Sequence, residues 1–545
     1  MPMKRMRRIL SLLLACLMLT ACNITAPGFP GAALDTQQNI EQIKLLGESP
    51  DDNYRTFYEV FVYSFCDSDG DGIGDLKGLT SKLDYLQNLG IRGLWLMPIH
   101  PSQSYHKYDV RDYYDIDPQY GTLADFDAFM AECQARDIHV IIDLVLNHTG
   151  DDNRWFQEAC DYLRSLPTGA EPDPEECPYV DYYFFNKEGG PGYHDVSGTD
   201  WKYEGMFSPD MPDVNFANEM VWTEIENIMK FWIDKGVAGF RLDAAKEFYS
   251  GSVTKNVEVL RRIQETATGL KPDCYLVAEV WENFGQISKY YESGITSIFN
   301  FAFGNTDGKI TQVIRAAGTP GTVSTYATAL EKADKAYLAS NPDYIDAPFL
   351  SNHDVGRIAG FASRDENKMK IAGAMNVLMS GSCFIYYGEE LGMPGSGNDP
   401  SKRAPMLWNE ARDNGTTNPP PECQLPEEYP LGSLEVQEKD GASLYNYYRQ
   451  VIALRNALPV ISHGRTTCET ALNIGCVSAQ RKTWNDESCI ILMNINPEAA
   501  TADLSAYADW TLAATISADG NPITQDGATL NLPAYGLAVL LPAAQ

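Results

Sequence analysis

The sequence is poor in positive charge. Its 545 residues include 42 lysines and arginines against 74 aspartates and glutamates, which gives a net charge of −32. Such an acidic surface repels the phosphates of DNA and RNA, so we expect no nucleic-acid partner. The charge selects no substrate, because acidic surfaces are common among enzymes of neutral substrates and among cation-binding proteins.

Long apolar runs are missing after the first residues, and the chain has no internal repeat and no low-complexity tract. The apolar run ILSLLLACLML follows the basic stretch MPMKRMRR and is too short to cross a bilayer comfortably. This order is typical of a signal peptide, which we predict over residues 1–21.

The signal ends in LTAC, which resembles the lipobox of bacterial lipoproteins. The resemblance implies cleavage before Cys22, lipidation of that cysteine and a tether over residues 22–50. A plain secretory signal with a chance cysteine is the alternative. We therefore expect an exported protein, lipid-anchored to a membrane at the cell surface or on its periplasmic face.

No CxxC motif occurs among the 12 cysteines, so the usual zinc and redox motifs are excluded. Export permits disulfides. Cys160 and Cys177 flank a Pro/Glu-rich loop and are the best predicted pair, and a second possibility is Cys468 with Cys476 or Cys489. The cysteines of apolar segments are expected to be buried free thiols, namely Cys66, Cys133, Cys274 and Cys383.

Short apolar runs alternate with amphipathic patterns along most of the chain. The strand candidates are FYEVFVYSF, GLWLMP, HVIIDLVLNH, VAGFRLD, CYLVAEVW, SIFNFAF, APFLSNHD and SCFIYYGEE. Strands that alternate with helices predict a parallel (β/α)8 TIM barrel, over residues 51–146 and 217–459. The third connection, 147–216, is unusually long without a clean crossover helix, which predicts an inserted domain B. Short strands and turns over 460–545 predict a C-terminal antiparallel β domain.

Four of the predicted barrel strands end in polar residues, at the edge where barrels carry their active sites. These residues are Asp143 to His148, Arg241 with Asp243, Glu279, and Asn352 with His353 and Asp354. Any one set alone is better explained as a helix cap or a salt bridge, but four sets at one edge favour catalysis. Glycoside hydrolysis uses several carboxylates around one cavity, as a nucleophile, an acid/base and a further negative group.

The motifs DLVLNH, GFRLDAAKE, AEVW and FLSNHD, in this order, resemble the four signature regions of the α-amylase family, glycoside hydrolase family 13. MPDVN, residues 211–215, is similar to its fifth region. The resemblance extends over about residues 50–545 and implies that family's barrel, domain B and C-terminal domain. It also implies a monomeric α-glucan hydrolase that retains anomeric configuration through a covalent glycosyl-enzyme.

The resemblance assigns roles to the polar residues. It implies Asp243 as nucleophile, Glu279 as general acid/base and Asp354 as transition-state stabiliser. Arg241 would hold Asp243 ionised and oriented, whereas Glu279 must begin protonated, which burial and nearby negative charge favour. The implied sugar contacts are Tyr108 below the sugar in subsite −1, His148 and His353 beside it, Lys246 on the leaving-group side, and Arg403 at the cleft wall.

Two cation sites are expected. Asn147 matches the family's calcium ligand between barrel and domain B, with Asp213 and the carbonyl of Glu247 completing the set. The second candidate is DSDGDGIGD, residues 67–75, whose residues at EF-hand spacing are Asp67, Asp69, Asp71, the carbonyl of Ile73, and Asp75.

The second loop is not a true EF-hand, because Gly78 stands at the twelfth position and the loop follows a strand. It resembles the first barrel loop of some family members, which binds Ca²⁺ or Mg²⁺. The alternative is a solvated acidic turn.

Three departures from relatives bear on the mode of cleavage. In exo-acting members an aspartate three residues before the stacking tyrosine pairs with an arginine and closes subsite −1; here that position is Tyr105, although Arg403 keeps the arginine. Ala244 follows the nucleophile where α-1,6-specific relatives tend to carry valine, and MPDVN replaces the QPDLN of oligo-1,6-glucosidases. These departures predict endo-type cleavage of α-1,4 bonds.

The rival predictions are a 4-α-glucanotransferase, an exo-acting α-glucosidase, and a non-catalytic glycan-binding or transporter-accessory barrel. The complete set of Asp243, Glu279 and Asp354 argues against the last of these.

Overall fold

The computed structural model of the chain describes residues 36–543. The predicted signal peptide, Cys22 and the first part of the predicted tether lie outside the described residues. Among the helices of residues 36–543, none has the length and hydropathy that a membrane crossing requires.

Eight parallel strands form the central sheet. In chain order they are β1 (Thr56–Val60), β2 (Gly93–Leu96), β3 (His139–Leu144), β4 (Gly239–Leu242), β5 (Tyr275–Ala278), β6 (Ser297–Phe299), β7 (Ile345–Ala347) and β8 (Cys383–Tyr386). Strands adjacent in number pair from β1 to β7, and β1 also pairs with β8. The N–H groups of Ser382 and Phe384 donate to the carbonyls of Asp346 and Pro348, each at 2.8 Å, which brings β8 against β7. The (β/α)8 prediction is confirmed.

The barrel interior is filled by a layer of mostly aromatic side chains. Phe57 stacks on Phe384 with ring centroids 4.9 Å apart, and Trp95 lies 5.2 Å from Phe299. These rings are buried. They form a closely packed apolar layer next to the polar residues that follow the strands.

Helices cover the outside of the barrel because each buries one apolar face, as Ile225, Ile228 and Trp232 show in the helix that precedes β4. The longer helices are Leu76–Ser81, Leu83–Leu89, Leu123–Gln134, Glu219–Asp234, Val253–Leu270, Phe284–Tyr290, Lys309–Arg315, Thr325–Ser340, Glu366–Val377 and Leu444–Ala457. Short helices are Val62–Phe65, Pro320–Val323, Ile358–Phe361, Asp399–Lys402, Leu434–Gln437 and Pro459–His463, with 3-10 turns at Pro178–Asp181, Tyr291–Ser293 and Glu389–Leu391.

Part of the predicted tether is folded. Residues Thr36–Lys44 form a helix that packs on the barrel helix Leu444–Ala457. Ile40 and Ile43 lie on its buried face. The prediction of a tether over 22–50 is therefore wrong for this segment, because two isoleucines spaced by three residues give it an apolar face to bury.

The inserted domain B contains a small antiparallel sheet and one helix. Its strands are Phe185–Asn186, Tyr193–Asp195 and Lys202–Glu204. The helix Arg154–Ser165 begins at Asn153, whose side chain accepts from the N–H of Trp155 at 2.9 Å. This helix lies within the inserted domain, and the crossover to β4 is the helix Glu219–Asp234, which follows residues 147–216.

All ten cysteines between residues 36 and 543 are free. The predicted pair of Cys160 and Cys177 is therefore not formed; the thiol of Cys177 instead lies 3.9 Å from the carbonyl oxygen of Glu158. The second possibility, at Cys468, Cys476 and Cys489, is not formed either. The prediction of buried free thiols is confirmed at Cys66, Cys133, Cys274 and Cys383.

The C-terminal region is an antiparallel β domain, as predicted. A five-stranded sheet contains, in spatial order, Arg465–Cys468, Val477–Trp484, Glu487–Asn494, Leu537–Pro542 and Trp510–Ile516, and a three-stranded sheet contains Ala500–Asp503, Thr529–Leu532 and Thr524–Asp526. Alternate residues of the two sheets, such as Leu492 and Leu530, share a separate hydrophobic core.

Candidate active site

The polar residues that follow the barrel strands converge on one cavity of about 780 Å³. Asp243 directly follows β4, Glu279 directly follows β5, and Asp354 lies in the loop after β7. All three line the cavity. Parallel strands end at the same edge of a barrel, which is why residues far apart in sequence meet here.

Arg241 connects the carboxylates of this cavity. Its Nη1 lies 2.6 Å from Oδ1 of Asp243, and its Nη2 lies 2.9 Å from Oε2 of Glu279. The same Nη1 lies 2.8 Å from Asp143, and the guanidinium lies 5.2 Å from the ring of Trp95. A planar guanidinium with fixed donors holds both cavity carboxylates in one geometry. The role predicted for Arg241, to hold Asp243 ionised and oriented, requires the contact between these two side chains.

The environment of Glu279 favours its protonated form. Burial raises its pKa, the neighbouring charges of Asp243 and Asp354 raise it further, and Arg241 opposes the shift. Its Oε2 accepts the N–H of Ala244 at 2.9 Å. Ala244 has φ of 46°, in the left-handed region that non-glycine residues rarely adopt, and this turn directs its N–H at Glu279. A raised pKa is what a general acid requires near neutral pH.

Asp354 has the opposite environment. Its Oδ2 lies 2.9 Å from Nε2 of His353, and its Oδ1 lies 3.0 Å from Nη2 of Arg403. Burial opposes ionisation, but His353, Arg403 and Arg241 outweigh it and hold the pKa of Asp354 well below its usual range. Two cavity acids with pKa values displaced in opposite directions suit different chemical roles.

Tyr108 and His148 complete this side of the cavity. The Tyr108 hydroxyl lies 2.7 Å from Nε2 of His353 and 3.1 Å from Asp143, and its ring stacks on His353 at 5.5 Å. Both ring nitrogens of His148 are buried, and among residues 36–543 neither has a hydrogen bond of good geometry, although the backbone of Tyr108 interacts with the ring. Burial lowers the pKa of His148, so its ring is neutral. Buried polar atoms need partners, and ligand hydroxyls would supply them.

Lys246 lines the same cavity, beside Trp281. Its amine is 3.5 Å from the carbonyl oxygen of Trp281 and 3.6 Å from Glu282. The indole of Trp281 is 39% exposed, and Phe207 of domain B, 53% exposed, lines the same cavity. Exposed rings at a polar cavity are typical of sugar-binding surfaces, where flat apolar faces are needed. The sequence prediction did not include these two aromatic residues, although Trp281 stands in the AEVW motif.

Arg403 joins the cleft wall to the carboxylates. Its Nη1 donates to the Tyr105 hydroxyl at 3.0 Å, and its Nε donates to the carbonyl of His353 at 3.2 Å. Arg403 therefore contacts a neutral phenol at position 105, where exo-acting members of the resembled family carry an aspartate. Tyr105 and Arg403 both line the cavity.

The acidic loop 67–75 brings three of its predicted ligands together. One carboxylate oxygen from each of Asp67, Asp69 and Asp71 lies within 4.8 Å of the others. Ile73 lies in the same turn, where its N–H donates to Asp71 at 2.7 Å. An oxygen-only donor set fits a hard cation such as Ca²⁺ or Mg²⁺.

Asp75 is not part of this cluster. Its Oδ1 accepts from the N–H of Gly78 at 2.8 Å and caps the helix Leu76–Ser81. Its Oδ2 accepts from the N–H of Ser68, also at 2.8 Å. Both oxygens therefore serve the backbone rather than the three clustered aspartates.

The second expected cation site lies between barrel and domain B. The side-chain amide of Asn147 donates to Asp213 at 3.1 Å, and the N–H of Met206 donates to the other carboxylate oxygen at 3.0 Å. Burial raises the pKa of Asp213 to about 7, and the charges of Glu204 and Glu247 add to it. A buried carboxylate with acidic neighbours fits a cation, because a positive charge would favour its ionised form.

A residue outside the predicted set also reaches the site. Glu59 lies in β1, and its Oε1 is 2.6 Å from Nδ1 of the His353 ring. The only sequence signal was a carboxylate within the apolar strand FYEVFVYSF.

Comparisons with known proteins agree with this geometry. Residues 59–464 match the family model described as "Alpha amylase, catalytic domain". The chain is 38% identical to Alpha-amylase 3 of Dictyoglomus thermophilum over 450 residues, which cover 81% of this chain and 84% of that protein. It is 27% identical to Alpha-amylase SusG of Bacteroides thetaiotaomicron, over 97% of this chain and 98% of that one.

Among solved structures, Amy13B of Eubacterium rectale superposes with a TM-score of 0.90 at 43% identity. The superposition covers 94% of this chain and 100% of the other.

Proposed function

The chain belongs to the α-amylase family of glycoside hydrolases, and we propose that it hydrolyses internal α-1,4-glucosidic bonds of starch, glycogen or maltodextrins with retention of configuration. The observation that carries the proposal is the buried guanidinium of Arg241, which holds Asp243 at 2.6 Å and Glu279 at 2.9 Å. One guanidinium that contacts both carboxylates holds them on the same side of the cavity, and a retaining mechanism uses such a pair as nucleophile and acid/base.

The first step uses the two acids in different roles. Asp243 attacks the anomeric carbon while Glu279, whose raised pKa favours the protonated form, gives its proton to the leaving glycosidic oxygen. The carbon–oxygen bond to the leaving sugar breaks as the ester to Asp243 forms. Asp354 remains ionised and stabilises the positive charge that develops on the sugar ring.

The second step restores the enzyme. Glu279, now a carboxylate, takes a proton from water, and the water oxygen attacks the anomeric carbon from the face that the leaving sugar vacated. The ester to Asp243 breaks, so the product keeps the configuration of the substrate after two inversions. His148 and Tyr108 would hold the sugar of subsite −1, and Lys246 would contact the leaving side.

Endo action is supported by the cleft wall. At position 105 Arg403 bonds to a tyrosine hydroxyl, where exo-acting members have an aspartate that pairs with the arginine and closes subsite −1. The exposed rings of Trp281 and Phe207 extend the sugar-binding surface beyond the catalytic carboxylates. The relatives reported above that carry the name α-amylase favour the same activity.

Timed product analysis tests this proposal against its rivals. Endo hydrolysis of maltoheptaose gives several maltodextrins of α configuration, detected by NMR of the first products. Glucose and maltohexaose as the only early products would establish an exo-acting glucosidase. Products longer than maltoheptaose, without new reducing ends, would establish a 4-α-glucanotransferase, and the absence of turnover would favour a glycan-binding barrel.

Calcium is the cation we assign to both acidic sites, with Mg²⁺ as an alternative at Asp67, Asp69 and Asp71. The bound cation would neutralise these carboxylates and fix the loop; at Asn147 and Asp213 it would join domain B to the barrel. We further infer that the protein is exported and held on a membrane by lipid on Cys22, as the LTAC motif supports.

A further inference from the structure

His353 is held between two carboxylates, and only one of them faces the substrate cavity. Glu59, which is 1% exposed, lies behind the ring with its Oε1 2.6 Å from Nδ1. On the other side, Nε2 lies 2.9 Å from Oδ2 of Asp354 and 2.7 Å from the Tyr108 hydroxyl. Asp354 lines the cavity.

The two contacts determine how many protons the ring carries. A neutral imidazole with its N–H towards Glu59 would accept from the Tyr108 hydroxyl at Nε2, but the same lone pair would face Oδ2 of Asp354. The Tyr108 hydroxyl has another acceptor in Asp143, at 3.1 Å, so Nε2 need not serve as its acceptor. An imidazolium donates from both nitrogens and satisfies both contacts. Burial lowers the pKa of His353, but Asp354 and Glu59 outweigh burial and raise it to about 9. Geometry and electrostatics therefore agree on a doubly protonated ring at neutral pH.

The other charged and titratable groups around Glu59 leave the proton on the ring. Burial raises the pKa of Glu59; His353 and Arg241 oppose the shift, and Asp354 adds to it. Tyr386, on β8, also interacts electrostatically with Glu59 and is neutral, because burial raises its pKa well above the usual value. The cation nearest to Glu59 is His353, with Arg241 acting from β4.

We propose that Glu59 is a positioning residue for the hydrolysis: its carboxylate keeps the ring of His353 doubly protonated, and that ring keeps Asp354 ionised and aimed into the cavity. The proposal rests on the proposed role of Asp354 in stabilising the transition state. Without the charge of Glu59, His353 becomes neutral at lower pH and Asp354 loses one cationic partner. Arg403 still contacts the other oxygen of Asp354 at 3.0 Å, so the loss depends on pH and is not complete.

The kinetic test is the pH dependence of Glu59→Gln, divided by that of the wild type so that the titration of Glu279 cancels. Glutamine keeps an oxygen to accept from Nδ1 but carries no charge. We expect the ratio of kcat/KM to be near its maximum at pH 5. Above the new pKa of His353 the ratio should fall with the protonated fraction of the ring, by at most tenfold per pH unit, and then level off at the activity that the contact between Arg403 and Asp354 supports. A ratio that is constant from pH 5 to 8 would overturn the proposal.

The direct test is NMR of the histidine rings, which number 7 in the chain. The signal of His353 is assigned by its loss in His353→Gln. In the wild type it should stay doubly protonated below pH 8, and in Glu59→Gln its midpoint should fall by about one pH unit or more. A singly protonated ring in the wild type at pH 7 would refute the proposal even if Glu59→Gln does not fold.

Glu390→Gln is the matched control. Glu390 is also fully buried in the barrel, where its Oε1 accepts from the Tyr58 hydroxyl at 2.9 Å. Its change should leave the His353 midpoint and the shape of the pH profile unaltered, and a shift equal to that of Glu59→Gln would contradict the proposal. Asp354→Asn separates the two proposals, because undiminished activity there would refute the role of Asp354 while the NMR result still reports on Glu59.

Discussion

The Tyr105 hydroxyl accepts a 3.0 Å hydrogen bond from Nη1 of Arg403, whose Nη2 lies 3.0 Å from Asp354. A phenol is neutral, so position 105 does not supply the aspartate that pairs with the arginine and closes subsite −1 in exo-acting members; another carboxylate near Arg403 on the cavity lining is Asp399, at 3.9 Å. We predict that the wild type reduces iodine staining of starch well before reducing ends accumulate.

Tyr105→Asp should move the enzyme towards exo action, because the new carboxylate would pair with Arg403. The measurement is the ratio of staining lost to reducing ends formed, and Tyr105→Phe is the control that removes only the hydroxyl. The prediction would be contradicted if the wild type released only glucose as the final product from maltoheptaose and left the iodine staining of starch unchanged.

Asp243→Asn should fold normally and lose about 10⁴-fold or more in kcat, because a nearly isosteric amide cannot form the ester. Glu279→Gln should be similarly impaired with natural substrates. With an activated leaving group, azide should give an α-glycosyl azide only in Glu279→Gln, where the covalent intermediate still forms. Asp210→Asn, which changes another cavity-lining carboxylate, is the control. Activity of Asp243→Asn within tenfold of the wild type would rule out the assigned nucleophile.

Glu389 should make the stability of the folded protein decrease as pH rises from about 4.5 to about 8. Burial raises the pKa of Glu389 to about 8, against opposing bonds from Ser351 and Tyr448. The folded state therefore binds a proton that the unfolded state releases, so this stabilisation is complete below the unfolded pKa of about 4.5 and disappears as pH rises through about 8. Glu389→Gln should flatten the decline of Tm between pH 5 and pH 9, by a few degrees. An unchanged slope would show that the carboxyl is already ionised.

Chelation should lower Tm, because a cation bound only by the folded state stabilises it by mass action. Asp69→Ala and Asp71→Ala should reduce the difference in Tm between samples with and without EDTA. Asp75→Ala is the matched control within the same loop: it removes a helix cap, so it should cost about 1 kcal/mol under both conditions. A Tm that is insensitive to EDTA would identify the loop as a solvated acidic turn.

Cys22→Ser should release the protein from membranes, since the proposed anchor is a lipid on that thiol. The measurement is the distribution between soluble and membrane fractions after a carbonate wash, with Cys16→Ser as the control inside the predicted signal. Continued membrane association of Cys22→Ser would exclude the lipoprotein assignment.

The sequence by itself determined the barrel and the positions of three of its cavity carboxylates. Most of the eight strands lie in short apolar runs that are readable without their neighbours, and the antiparallel C-terminal domain is equally local in its signals. The exception is β7, Ile345–Ala347, which shares only Ala347 with the predicted strand APFLSNHD. Asp243, Glu279 and Asp354 were predictable because they follow such runs. Parallel strands end at one edge of the sheet, so their positions along the strands already placed them together.

Only the tertiary structure decided which partners those residues have. Glu59 and His353 are 294 positions apart, and their contact depends on the closure of the barrel. Ile40 and Ile43 form a packed helix only because another helix covers them. Asp75 has ligand spacing in the sequence, yet its oxygens are taken by Ser68 and Gly78. Pairing between distant side chains follows from how the chain packs, which local sequence patterns do not encode.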